Sequence, residues 1–292
     1  MFLEKYSWRG LRLKDDLLEL LKSHVEDKVC VVNLSGGNHG DTLILMGLSK
    51  KLKEVNIEFD LKHQEWRTFD YRYFWKYKKP DYSNYDLIII RGGGHINDIW
   101  QPGLRFLLDV IKRSKEVVVA PQSYWFRQSV LGDKLREVKI PVTLFAREKY
   151  SYEFLRGSLL PENIEVGLAP DSSFYLSRED LEKYFLNTLK HDVLLCFRKD
   201  IESRIPLHIK RELENKNTNS LMEDVPMTGS FEEYISKIES TKIVYTDRLH
   251  TAILGHIFGK KIWFYSNAYW KNKGVYEYNL SKFRNVKFIE VI

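Results

Sequence analysis

Asp86-Leu-Ile-Ile-Ile-Arg91-Gly92-Gly93-Gly94-His95-Ile96-Asn97-Asp98 is the stretch on which the reading of this chain turns. Its first half is an unbroken apolar run rich in β-branched side chains, as expected of a strand covered on both faces of a parallel sheet. Its second half opens with three consecutive glycines. Each costs conformational entropy on folding, so three together at a strand end call for a reason beyond chain reversal. Ligands in open α/β sheets bind outside the carboxyl ends of the strands. Gly93 and Gly94 are therefore candidate ligand-contacting positions, and Asp98 places a carboxylate near the same mouth.

Other strand ends repeat the pattern. Upstream, Lys28–Leu34 runs into Ser35-Gly36-Gly37-Asn38-His39-Gly40-Asp41-Thr42 and then a helix-period segment. The N–H groups of a helix N-terminus suit an anion or a hydroxyl-rich ligand, which makes Gly37, Asn38, Gly40 and Asp41 candidates. Asp41 also fits a plain helix cap. The loop lacks the Gly-Lys-Ser/Thr end of a phosphate-binding loop and the spacing of a dinucleotide fingerprint. Downstream, Glu116–Ala120 leads to Pro121-Gln122-Ser123, with an amide and a hydroxyl at the same predicted edge. Near the C-terminus, Lys242–Thr246 ends in Asp247-Arg248-Leu249-His250. A guanidinium there grips a carboxylate or phosphate through two bonds, and a histidine beside it is suited to proton transfer. Arg147 and Arg198 also follow predicted strands, so three arginines in one half point to a ligand with several negative charges. Lys273 could add a fourth.

Between the strands lie segments with apolar residues at helical spacing, such as Leu13–His24, Asp41–Glu54, Leu104–Arg113, Glu148–Arg156, Glu179–Leu189, Phe231–Ile238 and Leu249–Phe258. Further strands read at Asn56–Leu61, Val142–Ala146, Asp192–Phe197 and Lys261–Tyr265. Strand and helix in alternation predict α/β architecture with mostly parallel sheets. At 292 residues there is room for about two domains. The boundary is placed at 145/146, where Pro141, Pro161, Gly167 and Pro170 begin to cluster, and Asn215–Gly229 reads as a second irregular region.

The net charge of +6 is too mild, and too dispersed, for a nucleic-acid binder. Cys30 and Cys196, the two cysteines, each sit in an apolar run and read as inert core thiols, with no disulfide framework or metal spacing. No metal or cofactor is expected. Met1–Gly10 does not read as a secretion signal, and no apolar run approaches the ~20 residues needed to cross a bilayer. A cytoplasmic protein is expected.

Taken in order, these pieces resemble the polysaccharide pyruvyl transferases. The matching residues are Gly37-Asn38-His39-Gly40-Asp41, then Asp86 with Gly92-Gly93-Gly94 and Asp98, then Ala120-Pro121-Gln122-Ser123. Arg147-Glu148 with Ser151, Pro170-Asp171, and Arg248-Leu249-His250 with Gly259 follow. The resemblance implies two Rossmann-like domains facing a cleft, in the GT-B-like manner: an acceptor-binding domain at 1–145 and a donor domain at 146–292. It implies metal-independent transfer of the pyruvyl unit of phosphoenolpyruvate, the co-substrate, to a sugar of a surface polysaccharide or its lipid-linked precursor. Arg248 and His250 would then contact phosphoenolpyruvate, with Arg198, Arg147 and Lys273 completing the donor site. His250, Asp41 and Asp98 would be the acid–base groups. Gly37, Asn38, Gly40, Gly93, Gly94, Gln122 and Ser123 would line the acceptor side.

Trp66–Lys79 mixes aromatic and basic residues densely. Such a stretch suits a sugar acceptor or peripheral docking at the inner face of the plasma membrane, or a covering segment whose aromatics pack inward. Two other readings of the chain stand beside pyruvyl transfer: a glycosyltransferase of the same architecture using a nucleotide sugar, and a glycan-binding protein without turnover.

Overall fold

The structure, a computed structural model, describes residues 15–65, 80–100, 102–126, 131–187 and 190–291. The chain forms two compact units, Met1–Gly36 with Ile44–Ser177, and Gly37–Leu43 with Arg178–Ile292.

The first unit is built on a parallel sheet of β1 (Val29–Ser35), β2 (Phe59–Glu65), β3 (Leu87–Ile90), β4 (Val117–Gln122), β5 (Val142–Ala146) and β6 (Ile164–Leu168). Their order is β2-β1-β3-β4-β5-β6. Period-two alternation splits the apolar side chains between two cores. Val29, Val31, Leu87, Ile89 and Val118 pack with Leu17 and Leu21 of α1 (Asp16–Leu21) and Leu48 and Leu52 of α2 (His39–Glu54). Cys30, Val32, Ile88, Ile90 and Val119 pack with α3 (Pro102–Ile111), α4 (Leu131–Leu135) and α5 (Lys149–Gly157) on the other face. This is why the central strands read as continuous apolar runs: both faces are covered.

The second unit repeats the plan. Its strands are β7 (Val193–Cys196), β8 (Ser220–Met222), β9 (Ile243–Thr246), β10 (Lys261–Tyr265) and β11 (Val286–Ile289), all parallel, in the order β11-β10-β9-β7-β8. Its helices include α6 (Leu207–Lys216), α7 (Phe231–Glu239), α8 (Leu249–Ile257) and α9 (Lys271–Val275). In both sheets the chain steps from the first strand to an outer neighbour, then returns to the first strand's other side. That reversal makes a topological switch point between β1 and β3, and another between β7 and β9.

Three expectations change. The units part after Ser177, not at 145/146, because β5 pairs along its whole length with β6, Val142 with Ile164 through to Ala146 with Leu168. Gly37–Leu43, early in the sequence, groups with the second unit. Glu179–Leu189 was expected as a helix; among its described residues, 179–187, only Glu182–Tyr184 is helical, as a single 3₁₀ turn. Just beyond it the Leu186 N–H donates to Ser236 Oγ at 2.7 Å, a side chain of α7, rather than to a carbonyl of its own segment. The stretch 66–79 lies outside the described residues. Among the described residues, no helix is long and apolar enough to cross a membrane.

Candidate functional site

At the second switch point the last register pair is Cys196 with Thr246. The strand ends are stitched together there: Thr246 Oγ1 donates to the Cys196 carbonyl at 2.7 Å and accepts the Arg248 N–H at 2.9 Å. The Arg198 N–H donates to Asp247 Oδ1 at 2.8 Å. Asp247 is fully buried, and that burial pushes its carboxyl above the usual aspartate range, against the pull of Arg198. Asn272 Nδ2 ties the Asp247 carbonyl (2.8 Å) to the Tyr265 carbonyl (2.9 Å). Backbone geometry thus carries Arg198 and Arg248 to neighbouring positions beyond the sheet.

Their guanidinium groups then meet. Arg198 donates through Nε and Nη2 to the two oxygens of Asp200, at 2.8 and 2.9 Å. Its Nη2 also lies 3.2 Å from Glu202 Oε1. Arg248 grips Asp224 in the same two-bond manner, at 2.7 and 2.5 Å, and its Nη1 is 3.3 Å from Asp200 Oδ2. Lys271 Nζ is paired with Glu202 Oε2, which also accepts from Asn267 Nδ2 at 2.9 Å. Lys210 Nζ donates to the Arg198 carbonyl. Burial would raise the Asp200 pKa, but the hydrogen bond from Arg198 and the charges of both arginines outweigh it and hold the carboxylate below its usual range.

Arg248 is the N-cap residue of α8, so His250 lies in that helix's first turn. The early N–H groups of a helix have no carbonyl of their own helix to bond, and anions settle at such ends. The segment Gly37–Leu43 packs here. A side chain at Gly40 would put its Cβ 2.6 Å from His250 Nδ1, so only glycine leaves room for the ring. His39 Nε2 is 2.9 Å from the Gly229 carbonyl, and its ring stacks on Tyr234 at 5.8 Å. Asn38 Oδ1 accepts the Gly40 N–H at 2.9 Å and does the capping of α2. Asp41 is therefore not the cap; it is partly buried in the first turn.

The remaining candidates lie in the first unit. A Cβ at Gly92 would stand 2.1 Å from the Pro121 carbonyl oxygen, and Gly93 holds φ +133 while its backbone bridges to β4. The glycines thus let β3 and β4 continue side by side past the sheet. Gln122 and Ser123 are completely buried. Ser123 Oγ accepts Arg147 Nε at 2.8 Å, and Arg147 Nη1 donates to the buried Asp171 at 2.6 Å. Arg147 is a 1%-exposed strut of the first unit, whereas Arg198 and Arg248 belong to the second. Next to it Glu148 caps α5, accepting the Ser151 N–H at 2.9 Å. Gly94 and Asp98 are partly exposed in this unit, with Asn97 bridging to Trp125.

Lys273 pairs with Glu290 at 3.0 Å, while the buried lysine of the cluster is Lys271. The sequence reading also missed Asp200, Glu202 and Asp224. The first two were visible as acids two and four places beyond Arg198. Asp224 lies in the stretch read as irregular, just past the three-residue edge strand β8.

Residues 38–269 match the family described as polysaccharide pyruvyl transferase. This chain belongs to that family. It is a transferase, with a pyruvyl-transfer role in polysaccharide synthesis. The match takes in the Asn38–Asp41 turn and the Arg248–His250 motif and ends two residues before Lys271. The transferase shares its fold with a protein of Klebsiella pneumoniae described as functionally uncharacterized, with a TM-score of 0.68 and 24% identity over 94% of this chain and 97% of that one. A UDP-N-acetylglucosamine 2-epimerase aligns at a TM-score of 0.43 and 10% identity, over 90% of this chain and 83% of its own. An E. coli heptosyltransferase aligns at 0.39 and 10%, over 90% and 92%. Likeness at the level of these last two decides nothing. No curated protein matches the chain in sequence.

Proposed function

We propose that the transferase moves the pyruvyl unit of phosphoenolpyruvate onto a sugar of a surface polysaccharide or its lipid-linked precursor, forming a ketal and releasing phosphate. The observation that supports this is the convergence of the Arg198 and Arg248 guanidinium groups on one carboxylate, that of Asp200, beside the first turn of α8. Phosphoenolpyruvate carries a carboxylate and a phosphate on a three-carbon frame. Two forked cations and a helix N-terminus suit both groups and fix their orientation. Protonation of the methylene carbon makes the central carbon electrophilic. One sugar hydroxyl adds to it, phosphate departs, and a second hydroxyl closes the ketal. The protons leaving the two hydroxyls balance the one gained by the methylene and the one taken up by phosphate. His250 is the group assigned to proton transfer. Asp41, in the same unit, is assigned to accept a hydroxyl proton, and Asp98 is the candidate from the first unit.

Thermal unfolding with phosphoenolpyruvate, UDP or inorganic phosphate tests the donor, since a ligand bound only by the folded state raises the midpoint. Phosphoenolpyruvate is expected to raise it in the wild type and not in Arg248→Lys, which keeps the charge and loses the fork. A shift with UDP alone would replace this reading by glycosyl transfer. No shift with phosphoenolpyruvate would remove it as the donor.

A further inference from the structure

We propose that Asp200 is an exchangeable place-holder: its carboxylate sits in the seat that the donor's carboxylate takes, and donor binding swaps one for the other. The inference rests on the reading above for the identity of the donor, though not for the existence of the seat.

Four acids surround the two arginines, and they are not equivalent. Arg248 has its own buried partner, Asp224, at 4% side-chain exposure. Arg198 has Glu202, at 2%, which also holds Lys271 and Asn267. Asp247 is buried and engaged with the Arg198 backbone. None of these can leave without stranding a buried charge, which is strongly unfavourable. Asp200 differs in both respects. It is shared between the two guanidinium groups, and it is 27% exposed.

Its attachment is also slight. The carboxylate belongs to a short turn, in which the Glu202 N–H donates to Asp200 Oδ1 and the Ser203 N–H to the Asp200 carbonyl, both at 3.0 Å. The next residue, Ile201, is 67% exposed, so the turn is covered by little on that side. Rotation of Asp200 toward solvent would uncover Arg198 Nε and Nη2 and Arg248 Nη1. An incoming carboxylate makes the same number of charge-assisted bonds that Asp200 gives up. The exchange therefore conserves the charge-assisted bonds at the two arginines and gives up the Glu202 N–H bond to Asp200 Oδ1, while the buried acids keep both arginines aimed throughout.

Two consequences follow. A tethered carboxylate competes at high effective concentration, so donor affinity is set below what two guanidinium forks would otherwise give. Asp200 also screens the seat against ligands that offer no carboxylate, which is discrimination by a competing group rather than by an added contact.

The experiment is calorimetric titration of phosphoenolpyruvate, pyruvate and inorganic phosphate into wild type, Asp200→Asn and Asp200→Ser, with circular dichroism to establish that both variants are folded. Loss of the competitor is expected to tighten phosphoenolpyruvate and pyruvate by ~10-fold or more, the scale of a charge-assisted hydrogen bond, and phosphate by less than twofold. A purely structural aspartate would give unchanged or weaker binding, and that result overturns the proposal. An equal gain for phosphate overturns it as well, because the seat would then accept any anion. If pyruvate gains while phosphoenolpyruvate binds no protein, the seat stands and the donor reading above falls. If neither acid binds any of the three proteins, both fall.

Discussion

The two switch points of the transferase share a topology and are built from opposite materials. Between β1 and β3 the strand ends are glycine and backbone, and the nearby arginines are turned inward: Arg91 Nη2 donates to the Leu34 carbonyl, and Arg147 is closed off by Asp171 and Ser123. Between β7 and β9 the strand ends are charge, with two guanidinium groups that share a partly exposed carboxylate. An arginine just past a strand end is thus a strut in one unit and, on the function proposed above, a binding group in the other. What separates the cases is one acid: Arg147 faces the fully buried Asp171, whereas Arg198 and Arg248, besides their buried partners, share the partly exposed Asp200.

The sharpest way to break this comparison is through Arg147. If it is a strut, Arg147→Ala leaves the buried Asp171 carboxylate without the Arg147 charge, at a cost of about 3–5 kcal/mol. Denaturant unfolding should show that loss, and Asp171→Ala should show a similar one. A stable Arg147→Ala protein that no longer binds phosphoenolpyruvate would return Arg147 to the donor site.

Glu148 probes the same strut by pH. Burial lifts its carboxyl from the ordinary 4.5 to about 7, against the Ser151 bonds and Arg147. The folded protein therefore holds this proton more tightly than the unfolded chain does. Stability should fall as pH rises from about 4.5 to about 7 and level off above, by up to ~3 kcal/mol across the window. Glu148→Gln should flatten that slope. A slope unchanged in the variant would place its origin elsewhere.

In the second unit the expected losses are in turnover. His250→Ala should lower it ~100-fold or more, the usual range for a lost acid–base group, with a melting temperature close to wild type because the ring is only partly buried. Near-normal turnover would remove His250 from the chemistry.

Much of this contrast was legible in the sequence. Leu87–Ile90 and Val142–Ala146 read as strands because burial on both faces leaves them apolar apart from Thr143. Gly92–Gly94 and Arg248–His250 stood out because they follow such runs directly. The rest was hidden for physical reasons. β8 is a three-residue edge strand with no continuous apolar run, so Asp224 had no frame to be placed in. β6 carries Gly167 and lies among prolines, so the edge strand of the first sheet looked like a linker. The grouping of Gly40 with His250 is tertiary: nothing local links residues so far apart in the chain.

The smallest effect concerns the late lysines, where helical phase misled the reading. Lys271 and Lys273 are two residues apart in α9, which turns them about 200° around the helix axis. One faces Glu202 in the buried cluster; the other faces Glu290 and is 38% exposed. An exposed pair of this kind contributes about 0–1 kcal/mol. Lys273→Met should therefore leave melting temperature and phosphoenolpyruvate affinity within error of wild type. Lys271→Met should weaken donor binding, because Glu202 would lose a counter-charge and draw more strongly on Arg198. Calorimetry on the two variants side by side decides it. Weaker binding in Lys273→Met with none in Lys271→Met would mean that the surface lysine, not the buried one, belongs to the donor site.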